Sequence, residues 1–136
     1  GRFERVLPDY DLAEGRVERV LVCSGKLYYE LVEAREKRDR RDVAIVRLEQ
    51  LYPFPDAQLL ATLKKYPDGT PVFWVQEEPA NMGAWNFIEH NTWRVKEQGY
   101  DLRHVARVES GSPATGSKAI HDQELDDLME RTFRDL

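Results

Sequence analysis

Cysteine is nearly missing from this 136-residue chain: Cys23 is the only one, so no internal disulfide can form and the sequence is compatible with a reducing compartment. Long apolar runs are missing too. None approaches the roughly 20 residues of a membrane-crossing helix, and the start shows no secretory signal pattern, so no membrane partner is expected. A basic surplus is also lacking, with a net charge of -5. A phosphate-binding surface needs clustered cations, and the one basic cluster, Arg35 to Arg41 (REKRDRR), is broken by Glu36 and Asp39. It reads as the solvated end of a helix, and nucleic acid is not an expected partner. Internal repeats and low-complexity segments do not occur. Finally, the chain opens at Gly1 rather than at a methionine, as an excised piece or a processed product would.

What is present suits a globular fold. Charged residues make up 33% and hydrophobic residues 41%, a balance that fits a charged exterior over a core better than a disordered tail. A chain of this length forms one domain and hides roughly two-thirds of the surface its unfolded form exposes, so it needs no staples.

The hydrophobic pattern alternates between two periods. A short edge strand is expected at Phe3 to Leu7, then a strand at Val17 to Cys23 broken by Ser24-Gly25. Leu27, Tyr28, Leu31 and Val32 recur at helical spacing, and the helix carries charged outer positions through Arg41. Val43 to Leu48 is a second β-branched run, closed by Tyr52-Pro53-Phe54-Pro55. A short helix with Leu59, Leu60 and Leu63 begins near Asp56, a suitable N-cap, and Val72 to Gln76 makes a further strand. Gly83 to Gln98 reads as one helix with Trp85, Ile88, Thr92 and Val95 on a face and Gly99 at its end. Leu102 to Val108 is the next strand, and Leu125, Leu128, Met129, Thr132 and Phe133 mark a last helix that His121 precedes. Repeated strand-helix units imply an α/β fold with a mostly parallel sheet and helices on both faces. Ligands in such sheets bind outside the carboxyl ends of the strands, here Ser24 to Lys26, Glu49-Gln50, Gln76 to Gly83 and Ser110 to Lys118.

Candidate chemistry at those ends is sparse. The loop Gly111 to Lys118 (GSPATGSK) approaches a phosphate cradle, but its lysine does not follow the second glycine directly and Pro113 removes a donor, so a Gly-Ser turn is the better reading. Cys23 lies in the apolar run VLVCSG and reads as a buried thiol rather than a nucleophile. Glu77 and Glu78, in WVQEEPANMGAW, are adjacent on an extended chain and should point to opposite faces unless Pro79 bends it. Acceptance of hydrogen bonds from an arginine or from free N–H groups suits them better than acid-base work. Trp74 and Trp85 frame them as aromatics do at interfaces or over an ordinary core, and both readings stay open. His90, His104 and His121 show no metal-ligand spacing. No catalytic residue, cofactor ligand or metal ligand is identified.

Four phrases in order, CSGKLYYEL (Cys23 to Leu31), DVAIVRLEQLYPFP (Asp42 to Pro55), WVQEEPANMGAW (Trp74 to Trp85) and SGSPATGS with the following His121, resemble the carboxyl-terminal domain of the thiamine diphosphate-dependent decarboxylating component of 2-oxoglutarate dehydrogenase. The resemblance covers nearly the whole chain. It implies a three-layer α/β/α sandwich, similar to the C-terminal domain of transketolase, with a mostly parallel sheet and one antiparallel edge strand. Residues 1–136 would then be one C-terminal domain of a larger multidomain enzyme, with residues 1–15 as an entry segment carrying that edge strand. The implied enzyme decarboxylates 2-oxoglutarate and passes a succinyl unit to a lipoyl group in the citric acid cycle. Its thiamine diphosphate and magnesium sit between earlier domains, commonly across a homodimer interface, and this segment alone is expected to be inactive. Implied partners are the other domains of the same chain, a homodimer partner and the lipoyl succinyltransferase component. The location would be the cytoplasm of a bacterium or the mitochondrial matrix of a eukaryote. Glu77, Glu78, Asn81 and Trp85 are implied to form a turn that meets neighbouring domains. Some members bind acetyl-CoA or a nucleotide such as AMP at this domain, for which Lys26 and Gln50 are the implied contacts. Asp56, Ala57 and Gln58 stand where effector-binding relatives carry arginines, which should weaken phosphate binding. The alternatives are an independent nucleotide- or acetyl-CoA-binding module, or the matching domain of another thiamine-dependent 2-oxo acid dehydrogenase.

Overall fold

A computed structural model describes residues 6–9, 17–108 and 118–134. Five strands, β1 (Val6–Leu7), β2 (Arg19–Ser24), β3 (Val43–Leu48), β4 (Val72–Pro79) and β5 (Leu102–Arg107), alternate with helices α1 (Leu27–Lys37), α2 (Asp56–Leu63), α3 (Trp85–Asn91), α4 (Trp93–Glu97) and α5 (Lys118–Thr132). The sheet order is β1-β3-β2-β4-β5. Among the described residues only β1 runs antiparallel, against β3; the other neighbours are parallel. The expected sandwich and antiparallel edge are thus observed.

Side-chain parity explains why the strands read as unbroken apolar runs. Val20, Val22, Ala44, Val46, Val72 and Trp74 face a core closed by Leu59, Leu63, Ile88 and Val95, from α2, α3 and α4. Leu21, Cys23, Val43, Ile45, Phe73 and Val75 face the opposite core, closed by Leu27 and Leu31 of α1 and by Leu128, Met129 and Phe133 in and just after α5. The central strands β2 and β3 and the first half of β4 are covered on both faces, which leaves little room for polar residues at either parity. A fully buried Leu, Ile or Val here contributes about 1.5–3 kcal/mol over an exposed one.

The short edge is finished by a side chain. β1 ends at Leu7, paired with Arg47, where Pro8 cannot continue the ladder. Asp9 then accepts the Ile45 backbone amide at 2.8 Å and the Arg35 guanidinium, sealing β3. Phe3 to Arg5 and residues 10–15, which belong to the expected entry segment, lie outside the described residues.

Four local expectations are corrected. Gly83 to Gln98 is not one helix but α3 and α4, split at Thr92. At the split the Thr92 hydroxyl donates to the Ile88 carbonyl at 2.8 Å and the Asn91 side-chain amide to Phe87 at 2.8 Å, side-chain bonds that compete with the helical ladder. Asp56 is the first helical residue rather than the cap; Pro55 takes the N-cap position, and no side chain caps it. The last helix starts at Lys118 and includes His121, because nothing between them breaks a helix and its early turns are exposed. The basic cluster is not simply solvated. Arg35 is buried, Arg40 holds Asp42 at 2.9 Å and the Phe133 carbonyl, and Arg38 reaches Glu130 at 3.4 Å. With Arg19, which donates to the Thr132 and Arg134 carbonyls, Arg38 and Arg40 clasp the end of α5 to the sheet, whereas Arg35 holds Asp9 and the Val43 carbonyl.

Candidate functional site

From β2 the chain crosses by α1 to β3 on one side, and from β3 it returns past β2 to reach β4 on the other. The carboxyl ends of β2 and β4 therefore flank the crevice where the order reverses, the place where open α/β sheets receive ligands. A cavity of about 150 Å³ lies there, lined by Ser24, Lys26, Trp74, Gln76, Glu77 and Glu78 among others.

Gln76 organises this edge. It is 4% exposed and continues the inward parity of Val72 and Trp74. Its Oε1 accepts Trp74 Nε1 and the Trp85 backbone amide, both at 2.9 Å. Its Nε2 donates to the carbonyls of Pro79 and Met82 at 2.8 Å and of Glu78 at 3.1 Å. One amide thus ties the end of β4 to the start of α3. Gly83 completes the turn with φ +68°, and a Cβ there would sit 3.1 Å from the Glu78 carboxyl and 3.2 Å from Gln76 Nε2. Glycine is required by backbone and by space together.

The register between β4 and β5 shifts between Val75 and Pro79, so β4 spends four steps where β5 spends two, from Val105 to Arg107. Glu77 and Glu78 lie in this irregular stretch, with the Glu78 carboxyl on the side of Gly83. Both line the switch-point cavity and a second one, also about 150 Å³, completed by Arg107, His121, Glu124, Leu125 and Leu128. Arg107 is already engaged there by Glu124 at 3.1 Å.

The other expected residues are dispersed. Lys26 is exposed at the rim of the switch-point cavity. Gln50 is not among the residues lining it, and its amide donates instead to the Tyr52 carbonyl. Asn81 is exposed on the turn, whereas Trp85 is 7% exposed, packed in the α2–α4 core with its ring stacked 4.6 Å from His104. His90 is exposed on α3, and among the described residues no group of three or more His, Cys, Asp or Glu is arranged to hold a metal. Cys23 is fully buried, and burial pushes its thiol up to about 12 against the opposing pull of Arg47. Burial also raises the Asp56 carboxyl, with Arg94 of α4 opposing at 3.8 Å. The loop Glu109 to Ser117, with the near-cradle, lies outside the described residues.

Sequence reasoning named Gln76 only as the start of the turn that runs to Gly83, and it missed Glu30. Gln76 announces itself only as a polar side chain on the inward parity of β4. Glu30 sits three residues after Leu27 and one before Leu31, half-buried at the flank of the stripe that α1 buries, with its Oε2 closed to solvent.

A sheet of this order, with one antiparallel edge and a polar turn at its switch point, defines a transketolase C-terminal-like lobe. The sequence matches the family model described as 2-oxoglutarate dehydrogenase C-terminal over residues 1–133, and the chain belongs to that family. It is 45% identical over its whole length to a 2-oxoglutarate dehydrogenase E1 component of Cupriavidus necator, 14% of whose length it covers. An E1 component of Azotobacter vinelandii is 40% identical over 98% of this chain, again 14% of the relative. A multifunctional 2-oxoglutarate metabolism enzyme of Mycolicibacterium vanbaalenii is 40% identical over 97% of this chain and 11% of its own. The chain therefore spans about one-seventh or less of these relatives. Among solved structures, a split-gene transketolase matches with TM-score 0.60 at 16% identity, over 96% of this chain and 43% of that one. A transketolase of Pichia stipitis matches with TM-score 0.57 at 14% identity, over 93% and 17%. At these identities the likeness concerns the fold alone.

No helix among the described residues is long and apolar enough to cross a membrane.

Proposed function

We propose that this chain is the C-terminal assembly lobe of a 2-oxoglutarate dehydrogenase E1 enzyme, which oxidatively decarboxylates 2-oxoglutarate and hands the succinyl unit to the lipoyl group of a succinyltransferase component in the citric acid cycle. The observation that carries this reading is the end-to-end match, at 45% identity, to an E1 component. The named relatives are bacterial, which favours the cytoplasm. The residues of this chain do not fit thiamine diphosphate and magnesium. Its sequence has no Gly-Asp-Gly triplet, and its described residues form no metal-ligand group. No step of the decarboxylation is therefore assigned to its side chains; the cofactors belong to other domains of a homodimeric enzyme.

The role of this lobe is to present Glu77, Glu78 and Asn81 to cationic or donor groups of neighbouring domains, on a turn that Gln76 and buried Trp85 hold rigid. The turn supports it, because it leaves Glu78, Asn81 and Met82 exposed. A chimera tests the reading: this chain replaces the corresponding segment of the Azotobacter vinelandii relative. The chimera should dimerise and release CO2 from 2-oxoglutarate, and the 136-residue chain alone should release none. Turnover by the isolated chain, or a folded chimera without activity, would overturn it.

A second reading is favoured by the lysine at the switch-point cavity: acetyl-CoA or AMP bound as effector, with Lys26 on the phosphate and Gln50 at the neighbouring strand end. The engagement of Gln50 by Tyr52 weighs against the second contact. Calorimetric titration of both compounds into the chain tests it, and heat from neither would remove it. Binding to the isolated chain together with an inactive chimera would instead favour an independent effector-binding module.

A further inference from the structure

The parallel strands β2 to β5 all end at one edge of the sheet, and exposed apolar side chains collect at that edge. Six large hydrophobic side chains are exposed among the described residues, and five of them follow the carboxyl end of a strand. Tyr29 lies in the first turn of α1, Tyr52 just after β3, Met82 after β4, Val108 after β5 and Ile120 in the first turn of α5. The sixth, Trp93, opens α4 and carries the Arg94 guanidinium over its ring at 5.3 Å. At the opposite end of the sheet Asp39, Arg41, Lys64, Lys65 and Asp101 are exposed instead. Scattered surface hydrophobics need no explanation, whereas their segregation to one end does.

The firmest part of this face is an aromatic stack. Tyr52 is 68% exposed, yet its ring lies 4.3 Å from that of Phe87, which in turn meets Phe54 edge-on at 6.1 Å. Gln50 holds the Tyr52 carbonyl, and Gln76 fixes the start of α3 and with it Phe87. A tyrosine held in this way has little freedom left to lose on binding, as suits an interface anchor. We propose that the carboxyl end of the sheet docks against another domain of the same E1 polypeptide, with Tyr52 on Phe87 as its anchor and Met82 beside the acidic turn. The inference rests on the assembly role given above and names the apolar half of that interface.

Charge and chain length select this occupant over a second copy of the lobe. Arg47 and Arg107 are matched by Glu49 at 3.5 Å and Glu124 at 3.1 Å, and Glu77 and Glu78 add negative charge that Lys26 offsets only in part. A two-fold interface would press this acidic surface against itself, where like charges repel. The chain corresponds to 14% of the length of an E1 relative, so most of such an enzyme lies beyond it and can supply an apolar recess edged by basic side chains.

Hydroxyl-radical footprinting read by mass spectrometry tests the docking face on the 136-residue chain and on the active chimera. Tyr52, Met82 and Trp93 should all be oxidised in the isolated chain. In the chimera Tyr52 and Met82 should lose most of their labelling, whereas Trp93 keeps its own. Tyr52→Ser should leave the urea midpoint of the isolated chain nearly unchanged and speed heat inactivation of the chimera about tenfold, the loss expected of an interface anchor. Equal labelling of Tyr52 and Met82 in both proteins, with the chimera active, would overturn the docking face and leave the E1 assignment standing. Protection that appears in the isolated chain as its concentration rises would give the face to a second copy and overturn the proposal too. A variant that weakens both proteins alike would reduce Tyr52 to a structural role and do the same. A folded but inactive chimera would remove the E1 assignment, and this occupant with it.

Discussion

The side-chain carbonyl of Gln76 accepts the backbone amide of Trp85 at 2.9 Å, joining the end of β4 to the first residue of α3, nine positions further along the chain. The same oxygen holds Trp74 Nε1 at 2.9 Å, and the amide nitrogen holds three turn carbonyls. Gln76→Leu keeps the size and removes every bond, leaving several buried polar groups without partners. At about 1–3 kcal/mol for each group left unsatisfied, partly relieved by water at the turn, the expected loss is about 3–5 kcal/mol in urea unfolding. Gln76→Glu keeps the acceptor but turns the donor into a charged oxygen facing carbonyls, so it should be destabilising as well, and less so at acid pH.

Gly83 and Gly69 separate backbone strain from crowding. Both have positive φ, +68° and +81°, but a Cβ at Gly69 meets nothing within 4 Å. Gly69→Ala should therefore lose only the left-handed penalty of about 1–2 kcal/mol. Gly83→Ala adds contacts of 3.1–3.2 Å to Glu78 and Gln76, so its unfolding midpoint should fall further. Equal losses for the two variants would show that the turn yields to the added methyl group.

These two residues show what could be read from the chain and what could not. The strands were legible because a sheet covered on both faces admits only apolar side chains, as in Val20 to Cys23 and Val43 to Val46. The antiparallel edge and the transketolase-like layering followed from the motif resemblance rather than from periodicity. The break at Thr92 was hidden because its hydroxyl bonds a carbonyl one turn back, a choice that spacing does not encode. The register shift between β4 and β5 was hidden for a related reason: a bulge is a matter of how two strands pair, which the alternation of one strand does not encode. Glu30 was hidden by its type, since a carboxyl on a charged helix is ordinarily solvated.

Cys23 should be chemically silent in the native chain. With its thiol pushed up to about 12 by burial, the thiolate fraction at pH 8 is on the order of one in ten thousand, and the sulfur is also inaccessible. Reaction with an aromatic disulfide reagent at pH 8 should be negligible under native conditions and complete in denaturing urea. Rapid native labelling would mean that the α1 side of the sheet opens far more often than its packing implies.

Glu30 should make the chain less stable as pH rises. Its folded carboxyl holds a proton more tightly than the unfolded one does. Between the ordinary glutamate value and the raised native value the folded state binds more protons, and its stability falls with pH across that window. The contribution is fully present below the window and lost above it. Glu30→Gln removes this dependence, so its midpoint in urea, relative to the parent chain, should rise steadily from pH 4 to pH 8. A constant difference across that range would show that Glu30 titrates alike in both states.

Arg19 should matter far more than its charge suggests. It begins β2, is buried, stacks its guanidinium 5.0 Å from the Phe73 ring centroid and donates to the carbonyls of Thr132 and Arg134. The last carbonyls of a helix have no partner within it, so this fork does for the end of α5 what a capping residue would do. Arg19→Met preserves much of the stem's packing and strands those carbonyls, an expected loss of about 2–4 kcal/mol in urea unfolding. Arg103 provides the contrast: it is exposed and pairs with Asp101 at 2.8 Å, so Arg103→Met should change stability by less than about 0.5 kcal/mol. Hydrogen exchange separates the two further, because Arg19→Met should free the amides in the last turn of α5 before those of β2. Uniform acceleration across the chain would mean that Arg19 supports the whole sheet rather than the docking of one helix.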